Sequence, residues 1–389
     1  MFWYLVVFAC LLALALVERG QKWPGITAAV ILGAMCALRY ETGFDWVEYE
    51  LHYALAPGLF TPDLYAGVNP ISYEPGFELV NRALRSIGAG FAWLVFVIGV
   101  FNLVVLYAFI RRFSPLILPV LIWYYGFVFL TGQMATMRQS LSVSFIYLAM
   151  MARNDGRIVR AVVWSVVAVS MHSFAIIFLP LVFVSWRPWR ASILFGVAVL
   201  GFAASTIGGN LFAAVANAVL QVVDAGVVAE RLEIYSSLVG AAISPVSIIL
   251  VAMHIAFVAI LRRRGVDDYI ANVAGWSAWL IVILHTWFAS FPILWNRVML
   301  VTFPLEAIVL LRIYHAQLAD WFFRARLIIA SSGVALVALV YALANEQSLV
   351  YEPYENVAVT WVRGPYGTGR LRYQIIRAEN NSLLAEQKR

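Results

Sequence analysis

The chain has 389 residues, 63% of them hydrophobic and only 12% charged, with a mean hydropathy of +0.85 and a formal charge of +6. A water-soluble domain is nearer half apolar and a quarter charged, so this much apolar surface needs lipid as its solvent. The positive charge lies in short loops between apolar runs, which argues against a nucleic-acid surface, and Cys10 and Cys36 both fall inside apolar runs, which argues against a disulfide framework or metal cluster.

Apolar runs long enough to cross, or nearly cross, a bilayer are expected near 2–17, 25–38, 91–110, 116–131, 134–152, 191–208, 245–261, 269–289, 298–313 and 327–344. The first lacks a basic n-region and a small-residue cleavage site, so it reads as a retained span. The fold class is therefore an all-α polytopic membrane protein of about ten transmembrane helices. One transmembrane domain covers 1–344, with loops 39–90 and 208–244, followed by a tail at 345–389.

Residues 161–185 could form one span, but His172 and Ser173 interrupt the middle and both flanks are basic: Arg153, Arg157 and Arg160 before, Arg187 and Arg190 after. A re-entrant hairpin with His172 at its tip keeps both clusters on one side. With that hairpin, more than half of the 27 basic residues fall in cytoplasmic loops. Loops 39–90 and 208–244, the tail and both termini then lie outside.

The loop 39–90 carries most of the chemistry. A helix beginning near Asp45 would place Asp45, Glu48, Tyr49 and His52 on one face. Trp46, Val47 and Leu51 would lie on the other, suited to a membrane interface. Farther on, Ser72-Tyr73-Glu74-Pro75-Gly76-Phe77-Glu78 predicts a turn followed by a helix with Glu78, Arg82 and Arg85. Aromatic rings beside carboxylates are the usual materials of a sugar site; a plain solvated loop is the alternative.

Arg39, Arg138 and Arg297 stand at the outer ends of apolar runs, where positive charge is disfavoured. They read either as snorkelling side chains or as guanidinium forks for phosphate oxygens. His254 and His285 lie within spans without a charged sequence neighbour, which favours packing; Glu306 reads equally as a functional carboxylate or a hydrogen-bonded bundle residue. P-loop, GxSxG, HExxH and CxxC patterns do not occur, so ATP-driven transport, serine hydrolysis and zinc proteolysis find no support.

Five ordered pieces, Arg39…Gly43-x-Asp45…Tyr49, Tyr73-Glu74-Pro75-Gly76, Arg138-Gln139, His172-Ser173 and Arg297, together resemble the EpsG family of bacterial exopolysaccharide polymerases, relatives of the Wzy-type O-antigen polymerases. The resemblance runs from about residue 39 to 313, leaving the tail from Asn345 unexplained. It implies a glycosyltransferase of the bacterial inner membrane, facing the periplasm or outside, that moves a growing glycan from undecaprenyl pyrophosphate onto a lipid-linked repeat unit. The implied partners are the donor and acceptor glycolipids, membrane lipids and a chain-length regulator, with no cofactor and no nameable metal site. Arg138 and Arg297, with Arg39, would bind pyrophosphate. Asp45, Glu74 or His172 would act as base, and Trp46, Tyr49, Tyr73, Glu78 and Trp295 would hold sugar. Asp45 leads because a carboxylate in the first outer loop is the usual base in related lipid-sugar transferases, but the sequence leaves all three open. Two competing readings are a GT-C-like transferase adding one sugar from a polyprenyl phosphate, and a flippase or transporter of lipid-linked glycans.

Overall fold

A computed structural model describes residues 1–62, 73–207, 245–289, 292–344, 346–364, 369–376 and 378. The expected loop 208–244 lies outside the described residues, as do Ser72 and most of the tail beyond 376. The chain is an all-α polytopic membrane protein. The helices are α1 (Phe2–Val17), α2 (Trp23–Ala37), α3 (Trp46–Leu55), α4 (Pro75–Ser86), α5 (Phe91–Phe113), α6 (Leu118–Tyr124), α7 (Met137–Asn154), α8 (Ile158–Met171), α9 (Leu179–Phe183), α10 (Ala191–Ile207), α11 (Pro245–Arg264), α12 (Tyr269–Trp287), α13 (Pro292–Ile313), α14 (Trp321–Ala344) and α15 (Val357–Arg363). A π-helix at Tyr125–Met134 continues α6, and a 3-10 helix at Ser173–Phe178 leads into α9. Each predicted apolar run overlaps a helix among the described residues. Among the described residues, Phe91–Phe113, Pro245–Arg264, Tyr269–Trp287, Leu294–Ile313 and Trp321–Ala344 are long and apolar enough to cross a membrane; other apolar helices are shorter.

The described chain forms two compact units, Met1–Val184 with Ala307–Ile376, and Ser185–Glu306 with Arg377–Arg389. In the first, α5 packs on both α2 and α7, and α7 packs on α8. Lipid tails offer little hydrophobic drive for helix association, so small residues and polar bonds do much of the joining. Gly99 of α5 sits against the Ala37 backbone of α2. Asn102 donates to Ser140 Oγ at 3.0 Å and accepts from Ser144 Oγ at 2.8 Å, tying α5 to α7. Ser142 Oγ reaches the Ala168 carbonyl at 2.8 Å and ties α7 to α8. The buried Glu18 carboxylate accepts from the N–H groups of Ile117 and Leu118, at 2.9 and 3.0 Å, satisfying the otherwise orphaned start of α6.

The chain breaks at His172, whose backbone is extended (φ −157°, ψ 120°) between α8 and the 3-10 helix. Both arms, α8 before the break and Ser173–Phe183 after it, pack against α7. The tail returns to the same unit. Strand β1 (Arg39–Tyr40) pairs antiparallel with β2 (Glu355–Asn356), Arg39 opposite Asn356 and Tyr40 opposite Glu355. Tyr354 Oη reaches the Met35 carbonyl at 2.8 Å, and the Val357 N–H reaches the Leu38 carbonyl at 2.7 Å.

In the second unit, α12 packs on α10 and α11. His254, which has no charged neighbour in sequence, is paired by tertiary packing: its Nδ1 lies 2.7 Å from Glu306 Oε1, both side chains buried. His285 stacks on Trp295 with ring centroids 4.2 Å apart.

Candidate functional site

Three segments distant in sequence meet in the first unit: the turn before α4, the first turn of α7, and the break after α8. Glu74 joins them. Glu74 is the N-cap residue of α4, yet its carboxylate makes no cap bond to that helix. It turns instead toward the other two segments. Oε2 accepts from Arg138 Nη1 at 2.5 Å. Oε1 lies 2.8 Å from His172 Nδ1 and accepts from both the N–H and the hydroxyl of Ser173, each at 2.9 Å.

Local sequence explains why this is feasible. Pro75 starts α4 with the φ a helix needs and no N–H to satisfy. Gly76 then lets α4 lie directly on α8, because a Cβ there would sit 2.8 Å from the Ser170 carbonyl oxygen. That contact brings Glu74 to His172. Arg138 occupies the second position of α7, where the helix dipole disfavours a cation. Its placement depends on a partner anion, and Glu74 supplies one. The π-helix delivers the chain to that point, with Thr136 Oγ1 bonded back to the Gly132 carbonyl at 2.8 Å; π-helical turns are rare and frequently attend functional sites.

The surroundings are aromatic. The Arg138 guanidinium carbon stands 4.0 Å above the Tyr73 ring and 5.9 Å from Tyr49. The His52 ring covers Tyr73 from 4.3 Å, and His52 Nε2 lies 2.7 Å from Glu78 Oε1. Tyr49 Oη is 3.4 Å from Asp45 Oδ2. So Asp45, Tyr49, Tyr73, Glu74, Glu78, Arg138 and His172 form one connected cluster on one unit.

Electrostatics follow from those contacts. Burial alone would push the Glu74 carboxyl up, but hydrogen bonds from His172 and Ser173 and the charge of Arg138 outweigh it and hold the group well below the usual carboxylate range. Burial pushes the Tyr73 and Tyr49 phenols up, with neighbouring Tyr49 and Asp45 adding to it respectively, so both rings stay neutral near pH 7.

Among the remaining candidates, Arg39 bonds to residues other than Glu74, and Trp46 packs in the same core as Tyr49. Arg39 is 2% exposed; its Nη1 donates to the Cys36 sulfur at 3.2 Å and the Gln133 carbonyl at 3.3 Å, and its guanidinium faces the Trp46 ring. Trp46 does not face a membrane interface as the helix periodicity suggests. It is buried between Tyr40 and Phe91, centroids 6.1 and 5.0 Å away. Gly43 turns the chain into α3 with φ +112°, a conformation that favours glycine, and a Cβ there would collide with the Met134 carbonyl. Arg297 and Trp295 belong to the second unit. No group of three or more His, Cys, Asp or Glu side chains among the described residues could hold a metal.

Three contributors escape sequence reasoning. Ser173 was visible only as the residue after His172, and its two bonds to Glu74 depend on the break in the helix. Gly76 gave a turn signal, whereas its importance is room for Ser170. The tail gave no signal at all, although Arg370 and Tyr373 bind two carboxylates of α3: Arg370 Nη2 reaches Glu50 at 2.9 Å and Tyr373 Oη reaches Glu48 at 2.8 Å.

The EpsG family model matches residues 22–355, most of the chain and all of this cluster. This chain belongs to the EpsG family. No curated protein and no solved structure matches it. EpsG membership points to a membrane protein with a function of polysaccharide-polymerase, glycosyltransferase-like type. The EpsG match ends at Glu355, at β2, so α15 and the helix at 369–376 lie beyond it.

Proposed function

We propose that this EpsG-family chain is a polysaccharide polymerase of the bacterial cytoplasmic membrane, working on its outer face. It moves a growing glycan from undecaprenyl pyrophosphate onto the sugar of a newly delivered lipid-linked repeat unit. The observation that carries this reading is the bridge Arg138–Glu74–His172 beside Tyr73 and Tyr49: one cation, one oriented imidazole and two aromatic rings in one cluster.

The reaction asks little more. An acceptor hydroxyl loses its proton to a base as its oxygen forms a bond to the anomeric carbon of the donor. The bond from that carbon to the pyrophosphate oxygen breaks, and the electron pair leaves with the pyrophosphate on its lipid. Arg138 is assigned to that developing charge. His172 is favoured as base over Glu74, because Glu74 has both oxygens engaged and resists protonation. A carboxylate on Nδ1 orients an imidazole so that Nε2 can take a proton, as in hydrolase triads. Asp45, at the Tyr49 hydroxyl, is the alternative base. Arg39, bonded to main-chain and sulfur atoms, is assigned to holding β1 against the π-helix.

The test uses the purified full-length protein in lipid nanodiscs with lipid-linked repeat units. A ladder of products with release of undecaprenyl pyrophosphate is expected, lost in Arg138→Ala and His172→Gln and retained at reduced rate in Asp45→Asn. A single mass shift would make it a one-sugar transferase, and substrate movement without product would make it a transporter. Loss in Asp45→Asn with a ladder in His172→Gln would transfer the role of base to Asp45.

A further inference from the structure

We propose that the two short helices beyond the family match lie in the membrane interface, anchored in the bilayer by Trp361, at the end of the bundle that carries α3 and α4. The seven residues of α15 are not built as a buried helix. Val359, Trp361 and Val362 are exposed, Trp361 at 89% and Val362 at 79%. The following helix at 369–376 is two-sided: Leu371 and Ile375, one turn apart, face outward, whereas Arg372 and Ile376 are buried. A water-facing tail has no reason to present five apolar side chains in so short a stretch.

The partner is the boundary between lipid headgroups and acyl chains, because the tail is fastened where the bundle's lipid-facing surface ends. The Val357 N–H is bonded to Leu38, the residue just past α2, and Tyr354 is bonded to Met35 one turn inside it. Exposed Ile26 and Val30 belong to that same helix. The chain enters the tail from α14, whose last turns carry exposed Val337, Val340 and Tyr341. Trp93 is exposed in the first turn of α5, and tryptophan and tyrosine collect at this depth of a bilayer. Short helices with an apolar outer face and a polar inner one lie flat at such a boundary. The polar side has its own partner, since Arg370 and Tyr373 bind Glu50 and Glu48 of α3. The tail is thus a clasp with lipid on one side and α3, which carries Tyr49 and His52, on the other.

The experiment uses the full chain in phospholipid nanodiscs, with exposed Cys10 changed to Ala and nitroxide labels introduced by Trp361→Cys or Leu371→Cys. Both labels should be relaxed more by oxygen, which partitions into lipid, than by a water-soluble nickel chelate; a label at Gly364 serves as comparison. The proposal is overturned if both labels behave as aqueous, or if they become shielded only when two copies share one disc. An independent check needs no label: brominated lipid should quench wild-type tryptophan emission more than that of Trp361→Phe. Equal quenching sinks the proposal. Neither readout depends on catalysis, so failure here leaves the polymerase reading untouched, and the reverse also holds.

Discussion

Glu74 and Arg138 are 64 residues apart in sequence and 2.5 Å apart in space, and neither would sit comfortably where it does without the other. Arg138 opposes a helix dipole at the start of α7, and Glu74 forgoes capping α4 to reach it. Because the pair is mostly buried, leaving one charge without the other costs more than removing both. Glu74→Ala and Arg138→Ala should each lower stability by about 2–4 kcal/mol, and the double variant by clearly less than their sum. Chemical unfolding of the four proteins in one detergent gives the coupling energy. Strict additivity would mean that the two charges do not rely on each other.

Gly76 offers a steric counterpart. Ala at this position would press on the Ser170 main chain, move α4 away from α8 and lengthen the Glu74–His172 contact. Overpacking of this kind costs about 1–3 kcal/mol. Activity should fall at least tenfold, more than the stability loss explains, since Gly76→Ala displaces the carboxylate that orients His172. Initial rates at a temperature where the variant is fully folded would separate the two effects. A fully active Gly76→Ala protein would show that α4 can shift without consequence.

The pH dependence has a definite sign. The folded Glu74 carboxyl is held below its unfolded value of about 4.3, so its stabilisation is complete above that pH and lost as pH falls through the folded value. The stability difference between wild type and Glu74→Gln should therefore shrink as the pH falls below about 4. A difference that stays constant into strong acid would mean that another group carries it.

Asn102 provides a prediction outside the site. Replacing Ser140 and Ser144 together by Ala removes both of its partners inside the bundle. Polar pairs between membrane helices are worth about 0.6–2 kcal/mol, so the double change should destabilise by that order and leave catalysis intact. Thermal unfolding paired with an activity assay on the folded protein checks both halves. A loss of activity without loss of stability would give Asn102 a part in the site.

Composition and apolar periodicity alone determined that the chain is a helical membrane protein and roughly where its apolar helices lie, because in lipid a run of apolar residues has few alternatives to a helix. Motif order likewise marked Tyr73-Glu74-Pro75-Gly76, Arg138 and His172 as belonging together. Tertiary structure alone decided how they meet. It turned Glu74 away from its own helix, broke the chain at His172 so that Ser173 could donate twice, and buried Trp46 and Arg39. It gave His254 a carboxylate partner from another helix, and tied an otherwise silent tail to α3. In sequence the acidic loop reads as one wall of a site; in the structure the turn before α4 meets the start of α7 and the break after α8 at Glu74. The physical reason is that hydrophobic patterning is local in the chain, whereas hydrogen bonds, ion pairs, close helix approaches and ring contacts join residues at any separation, Tyr4 and Tyr351 being 347 positions apart.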